Sequence, residues 1–421
     1  MSKATAIRRL LCAKTYKRLL TGNVVITARN DDTGGEDAGA VYLFNGATGE
    51  LISTMLGSGP NERLSYVRPL NNGNFVVGSP GWDNGDVVDA GAMTLVSGVT
   101  GFNGVATAAN SLVGSHAEDY VGGGIFPLDN GNFVMASSQW DNDSVTDAGA
   151  VTFANGTVGI TGEISAFTSL VGSSDYDQVG SSITKLSNEN YVVSSGSWSS
   201  PSVPFAGSVT FGNGTTGITG VVSAANSLIG KTEYEHLNDV SALINGNYVV
   251  TSQGWDSDEL NDVGVVTLVN GTTGTTGVMS AINGVVGATE DDRIGSDGIV
   301  ALSNGNFVIL SRHYDDGSNV DAGAATFGNG SSGISGVVSA DNSLVGIRSD
   351  DFRSDSHVVA LTNGNYVVVS PGWSNGDAMQ VGAVTFGSGT AGAGGLISAE
   401  NSLVSSRLYV FAHNNLRIIL T

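Results

Sequence analysis

The chain has 421 residues, 61 of them glycine, with 17 basic and 39 acidic side chains and a single cysteine. A glycine share about twice the usual argues against a mostly helical protein, one cysteine builds no disulfide scaffold, and no window supplies the roughly 18 apolar residues of a membrane helix. Collagen is excluded because glycine lacks a three-residue period and prolines number 7, and 40% hydrophobic residues supply the core that a disordered chain lacks.

Residues 1–18 open the chain as a basic segment. Lys3, Arg8, Arg9, Lys14, Lys17 and Arg18 are six of the 17 basic side chains, and no acid lies among them, so the remainder carries a formal −28. An acidic body of that kind repels phosphate backbones, so nucleic acid is not an expected partner. Cations and basic partners suit it better. The apolar run Leu10–Ala13 stops at Lys14, too short for the apolar region of a signal peptide. A disordered tail, a transit peptide and a basic amphipathic helix all fit this segment.

From residue 19 the chain repeats, and internal repeats decide the fold class before any local pattern does. Gly-Asn-aromatic-Val recurs with its asparagine at 74, 132, 247, 306 and 365, Glu189-Asn190-Tyr191 is a variant, and Asn23 opens the series. The intervals are 51, 58, 58, 57, 59 and 59 residues, which makes seven repeats. A second landmark, Ala-Gly-Ala-Val-Thr-Phe, keeps the same count from residues 38–44 to 381–386, each time followed by a glycine-rich turn such as GNGTTG. Within residues 179–230 the pattern predicts four strands, 179–186, 190–194, 207–211 and 218–228, joined by Asn-rich and Asn-Gly turns of the hairpin kind. Seven four-stranded repeats of about 58 residues predict an all-β protein, a seven-bladed β-propeller over 19–421. A parallel β-helix is the second reading. Residues 407–421 lose the acidic junction and read as a candidate ring-closing hairpin, in competition with residues 10–20.

The first repeat, Asp37-Ala-Gly-Ala-Val-Tyr-Leu-Phe-Asn-Gly-Ala-Thr-Gly-Glu-Leu, resembles the FG-GAP repeat of integrin-α-type propellers and their bacterial relatives. Junctions such as Asp177-Gln-Val-Gly-Ser-Ser and Asp292-Arg-Ile-Gly-Ser resemble the start of that repeat. The later six repeats are similar to those of large bacterial surface proteins described as filamentous-haemagglutinin-like. This resemblance implies a propeller, non-enzymatic binding or adhesion at a cell surface or outside the cell, a protein or glycan ligand, and calcium in blade loops.

Three sets of side chains recur in register. Eight residues after the motif asparagine stand Trp82, Trp140, Trp198, Trp255, Tyr314 and Trp373, with Asp31 in the first repeat. They read either as ring platforms for a multivalent carbohydrate-binding lectin or as packing plugs. Acids follow in a loop: Asp83, Asp86 and Asp89; Asp141, Asp143 and Asp147; Asp256, Asp258 and Asp262; Asp315, Asp316 and Asp321. Carboxylates in an Asn/Gly loop suit Ca²⁺, which takes six to eight oxygens. Asp and Asn also close turns by bonding to nearby backbone. The fourth repeat departs with Ser199-Ser200-Pro201 and Phe205, and the seventh with Ser374 and Gln380. A third acid sits at every junction, at Glu62, Asp119, Asp177, Glu235, Asp292 and Asp351, and such regularity predicts a structural hydrogen bond.

No constellation for catalysis stands out. The five histidines share no repeat position, Cys12 has no partner residue, and no zinc spacing exists. Runs such as Gly212–Gly217 match a dinucleotide fingerprint literally but lie in hairpin turns, without the helix the fingerprint requires. No acid pair is singled out for glycoside hydrolysis. The sequence therefore predicts a non-enzymatic scaffold presenting loops to a protein or surface ligand.

Overall fold

The computed structural model describes residues 15–405 and is all-β, with seven sheets built from the repeats. The chain divides into two compact units. The first unit contains the first three sheets, and the second contains the last three. The fourth repeat contributes strands to each. Among the described residues, no helix is long and apolar enough to cross a membrane.

In the first unit, the first sheet is an antiparallel meander of Thr15–Arg18, Val24–Ala28, Ala40–Phe44 and Leu51–Leu56. Thr15–Arg18 was counted above with the basic segment, and it is instead the first strand of this sheet, pairing Arg18 with Val24. The next two sheets repeat the order, as Tyr66–Pro69, Phe75–Ser79, Ala92–Val96 and Leu112–Val113, then Gly124–Pro127, Phe133–Ser137, Ala150–Ala154 and Leu170–Val171. In the second unit the fifth sheet has Asp239–Ala242, Tyr248–Ser252, Val265–Val269 and Gly284–Val286, and the sixth and seventh follow suit. These are antiparallel four-stranded sheets of the propeller-blade type. The expected ring-closing hairpin at 407–421 lies outside the described residues.

The fourth strand differs from its expectation. Residues 218–228 form no single strand. In the first unit, Gly220–Val221 pairs in parallel with Leu170–Val171 of the preceding repeat. In the second, Gly277–Val278 adds to Leu228–Ile229, Gly336–Val337 to the fifth sheet and Gly395–Leu396 to the sixth. The fourth strand proper follows a turn that an asparagine closes: Asn342 accepts from the Ser339 N–H at 3.0 Å and donates to the Val337 carbonyl at 2.9 Å. Each such repeat thus supplies a fifth strand to the sheet before it.

Packing follows from the strand pattern. The second strand of each later repeat is buried almost throughout, as in Phe75–Ser79 and Tyr366–Ser370, which explains its continuous rather than alternating apolar sequence. Its leading aromatic ring covers a glycine in the strand opposite: Phe307 pairs with Gly328, where an added Cβ would collide with the ring.

The motif asparagine builds a ladder across successive hairpin turns. In the first unit, Asn132 accepts from the Gly156 N–H at 3.1 Å and donates to the Gly214 carbonyl at 3.0 Å. In the second, Asn306 accepts from Gly330 at 2.8 Å and donates to Gly389 at 2.7 Å. One amide side chain satisfies a backbone donor in its own repeat and an acceptor in the next. This requirement explains why the residue recurs as asparagine.

Candidate functional site: the junction loops and a cleft in the second unit

The junction acids form the foundation of the loops. Asp177 is fully buried and accepts from the backbone N–H groups of Ser173 and Ser174 at 2.9 Å through one oxygen and of Ser199 at 2.9 Å through the other. Asp292 repeats this with Ala288, Thr289 and Asp315, and Asp119 with Ser115, His116 and Asp141. Glu235 accepts from the Lys231 and Thr232 N–H groups and, through its other oxygen, from the Ser252 hydroxyl at 2.8 Å. Burial pushes these carboxyls up while the N–H bonds pull them down, and burial prevails, taking Asp351 to about 6. The structural bond expected at every junction is present.

Around each buried acid the backbone takes a conformation that side chains rarely adopt. The residue before the acid has φ between 61° and 66° in all six junctions: Asn61, Glu118, Tyr176, Tyr234, Asp291 and Asp350. The residue after it lies between 44° and 54° in five: Arg63, Tyr120, Gln178, His236 and Arg293. A third position, at the end of the aromatic–acid loop, also has positive φ in every repeat. It is Asp37, Asp89, Asp147, Phe205, Asp262, Asp321 and Gln380. The loops are tied together, since His236 N–H donates to the Phe205 carbonyl and Gln178 N–H to that of Asp147, both at 3.0 Å. Left-handed backbone costs a non-glycine residue about 1–2 kcal/mol. The buried carboxylate's backbone bonds offset that strain.

Four of the candidate calcium donors close these turns. Asp83, Asp141, Asp256 and Asp315 each accept from the N–H six residues on, that of Asp89, Asp147, Asp262 and Asp321, at 2.7–2.8 Å. Asp143 is exposed at positive φ. Asp258 pairs with Lys231 at 2.6 Å, which holds its carboxyl below the ordinary range. Asp262 pairs with Arg293 at 3.2 Å, and Asp321 with His313 at 3.0 Å. Among the described residues no three acids, histidines or cysteines gather as metal ligands do. In the loops the first acid of each set acts as a turn closure through one of its two carboxylate oxygens.

The repeated aromatics are packing plugs. Trp82, Trp140, Trp198, Trp255, Tyr314 and Trp373 are all buried, at 2–5% exposure, which leaves no ring face for a sugar to stack on. Each sits under the short strand that its own repeat hands to the sheet before it. Tyr314 Oη donates to the Val338 carbonyl at 3.1 Å, Trp255 Nε1 to that of Met279 at 3.4 Å, and Trp140 shares a core with Ile164. The lectin platform expected from these positions therefore lacks its surface. Asp31, at this position in the first repeat, is buried and accepts from Tyr42 Oη at 2.5 Å.

One place in the second unit combines exposed rings with a cavity. Where five other repeats carry Asp at the third positive-φ position, the fourth has Phe205. Its ring stacks on Tyr234 at 5.4 Å, with His236 at 5.8 Å. Tyr234 is 63% exposed. Tyr234 and His236 line a cleft of about 460 Å³ with Asp239, Thr251, Gln253 and Arg293 among its walls. Sequence reasoning noted Phe205 as a departure but passed over Tyr234, His236, Asp239 and Arg293. The available signal was variability: the residues flanking the junction acid change chemistry from repeat to repeat while the acid persists.

Comparison with known proteins bears on the repeat. A family described as "Repeat of unknown function (DUF5650)" matches six times, at residues 69–123, 127–181, 185–238, 242–296, 301–354 and 360–410. The chain belongs to this family. The first repeat lies outside those matches. Among curated proteins, none matches the sequence. Among solved structures, a chain titled "Streptogramin B lyase structure" is similar over 89% of this chain and 93% of its own, at 10% identity and a TM-score of 0.33. That likeness is too loose to carry an argument about activity.

Proposed function

We propose that this protein is a non-enzymatic binding scaffold whose ligand contacts are the side chains at the positive-φ junction positions, with the cleft beside Tyr234 and His236 as its principal site. The carrying observation is the division of labour within each repeat. Asparagine, junction acid, loop aspartate and tryptophan are all engaged in holding the loops, whereas the flanking residues vary in chemistry and mostly face solvent. Conserved architecture with variable exposed loop chemistry is how rigid scaffolds serve recognition. The resemblance of the first repeat to integrin-α-type blades favours work at a cell surface or outside the cell.

The test is selection of a random peptide display library on the immobilised full chain, run in parallel with Tyr234→Ala/His236→Ala. The scaffold reading expects enriched peptides that the double variant fails to retain. Equal retention by both proteins, or no enrichment, counts against it. A glycan array run alongside would redirect the reading to sugars if binding depended on Tyr234.

A further inference from the structure

Asp239 stands out among the side chains of the cleft. It opens the strand Asp239–Ala242 and lies directly opposite Thr251 in the antiparallel register, so the two side chains share one face of the sheet. Asp239 is exposed at the cleft mouth, no hydrogen bond or ion pair engages its carboxylate among the described residues, and partial desolvation with no compensating donor pushes its carboxyl up. Thr251 is 4% exposed, and its hydroxyl has no partner. Other repeats place Tyr66 opposite Gly78, Gly124 opposite Ala136 and His357 opposite Val369 at this register. The acid–hydroxyl pair therefore belongs to this repeat and not to the scaffold.

The remaining walls set the chemistry of an occupant. Glu235, Asp239 and Asp262 line the cleft with the His236 imidazole and a single guanidinium, that of Arg293, which is already matched by Asp262 at 3.2 Å and Asp291 at 2.8 Å. An anion would meet Asp239 with no unmatched cation to hold it. A cation would find that carboxylate, the Thr251 hydroxyl and the rings of the Tyr234–Phe205 pair, whose π-faces attract ammonium and guanidinium groups. The chain's formal charge of −22 draws such a group in from a distance.

We infer that the cleft beside Tyr234 is a receptor for a cationic side chain, the guanidinium or ammonium of a basic segment of a partner protein, held by Asp239 and the Tyr234–Phe205 rings. This rests on the scaffold reading and names the chemistry of its ligand. The unpartnered carboxylate and the buried hydroxyl opposite it supply the polar part of the site, and exposed Tyr234, stacked on half-buried Phe205, supplies the ring face.

The experiment is calorimetric titration of the full chain, to millimolar ligand, with the capped peptide Gly-Gly-Arg-Gly-Gly, its citrulline counterpart and spermidine. The arginine peptide is expected to bind about tenfold more tightly than the neutral citrulline peptide. Asp239→Asn is expected to weaken it by about tenfold, and Tyr234→Ala by several-fold. Asp86→Asn, which removes the same charge from an exposed loop of the first unit, should leave it within about twofold. Spermidine binding as tightly as the peptide would keep the cation site and assign it to free polyamines. Equal binding of citrulline and arginine peptides, no binding of either, or indifference to Asp239→Asn would overturn the inference. If the display selection meanwhile yields peptides without basic residues that still require Tyr234, the scaffold reading stands and only the cation class falls.

Discussion

The third junction loop in the first unit and the fourth in the second have the same backbone and different chemistry. Asp147, Tyr176 and Gln178 have φ of 49°, 64° and 48°, and Phe205, Tyr234 and His236 have 49°, 61° and 51°. Asp177 underlies one loop and Glu235 the other, each buried and bonded to the N–H groups three and four residues before it. Even the one-carbon difference between those acids is absorbed, because Glu235 reaches the Ser252 hydroxyl where Asp177 reaches the Ser199 N–H. The comparison teaches that loop shape is set beneath the surface, so the exposed residues are free to differ.

The largest effect should come from removing the foundation. Trp255→Ala, which empties a buried ring site beneath the strand at Met279, is expected to cost about 3–5 kcal/mol in denaturant unfolding. Asp177→Ala leaves three backbone N–H groups without their acceptor and should cost about 3 kcal/mol. Tyr176→Ala and Tyr234→Ala, one residue from the foundation but outside it, should stay within about 0.5 kcal/mol. A loss of several kcal/mol from either tyrosine would break the comparison. Asn132→Ala removes two bonds of the ladder and should cost about 2 kcal/mol.

Acidity sharpens the same point. Burial raises the carboxyls of Glu62, Asp119, Asp177, Glu235, Asp292 and Asp351 above their unfolded values, Asp351 to about 6. An acid raised in the folded state keeps its proton after the unfolded chain has lost its own. The stability it contributes is therefore full below the unfolded value and is lost as pH rises through the folded one. Melting temperature should increase as pH falls from 7 to about 5. A decrease over that window would show that the N–H bonds outweigh burial at these sites. At the small end, Gln178→Gly relieves positive φ and should raise stability by up to about 1 kcal/mol.

Much of this was legible in the sequence. The seven-fold count, the first three strands of each repeat and the structural role of the junction acids follow from spacing alone. The fourth strand differs from expectation, because residues 218–228 carry Val and Thr suited to a strand while Asn226, which breaks the run, favours ordinary turns as well. The tryptophans could be read as plugs or platforms because periodicity fixes position but not burial. Asp239 and His236 carry no repeated signal, and only the fold brings them to one cleft with Tyr234 and Arg293.

The account's central claim is that scaffold and ligand positions are separable within one repeat. It is tested most directly by removing the fourth loop's ligand side chains alone, with Tyr234→Ala and Asp239→Asn in one protein, and measuring unfolding together with arginine-peptide binding. The account predicts a melting temperature within about 2 °C of the parent and a clear loss of binding. Unfolding of the variant, or full retention of binding, would contradict it.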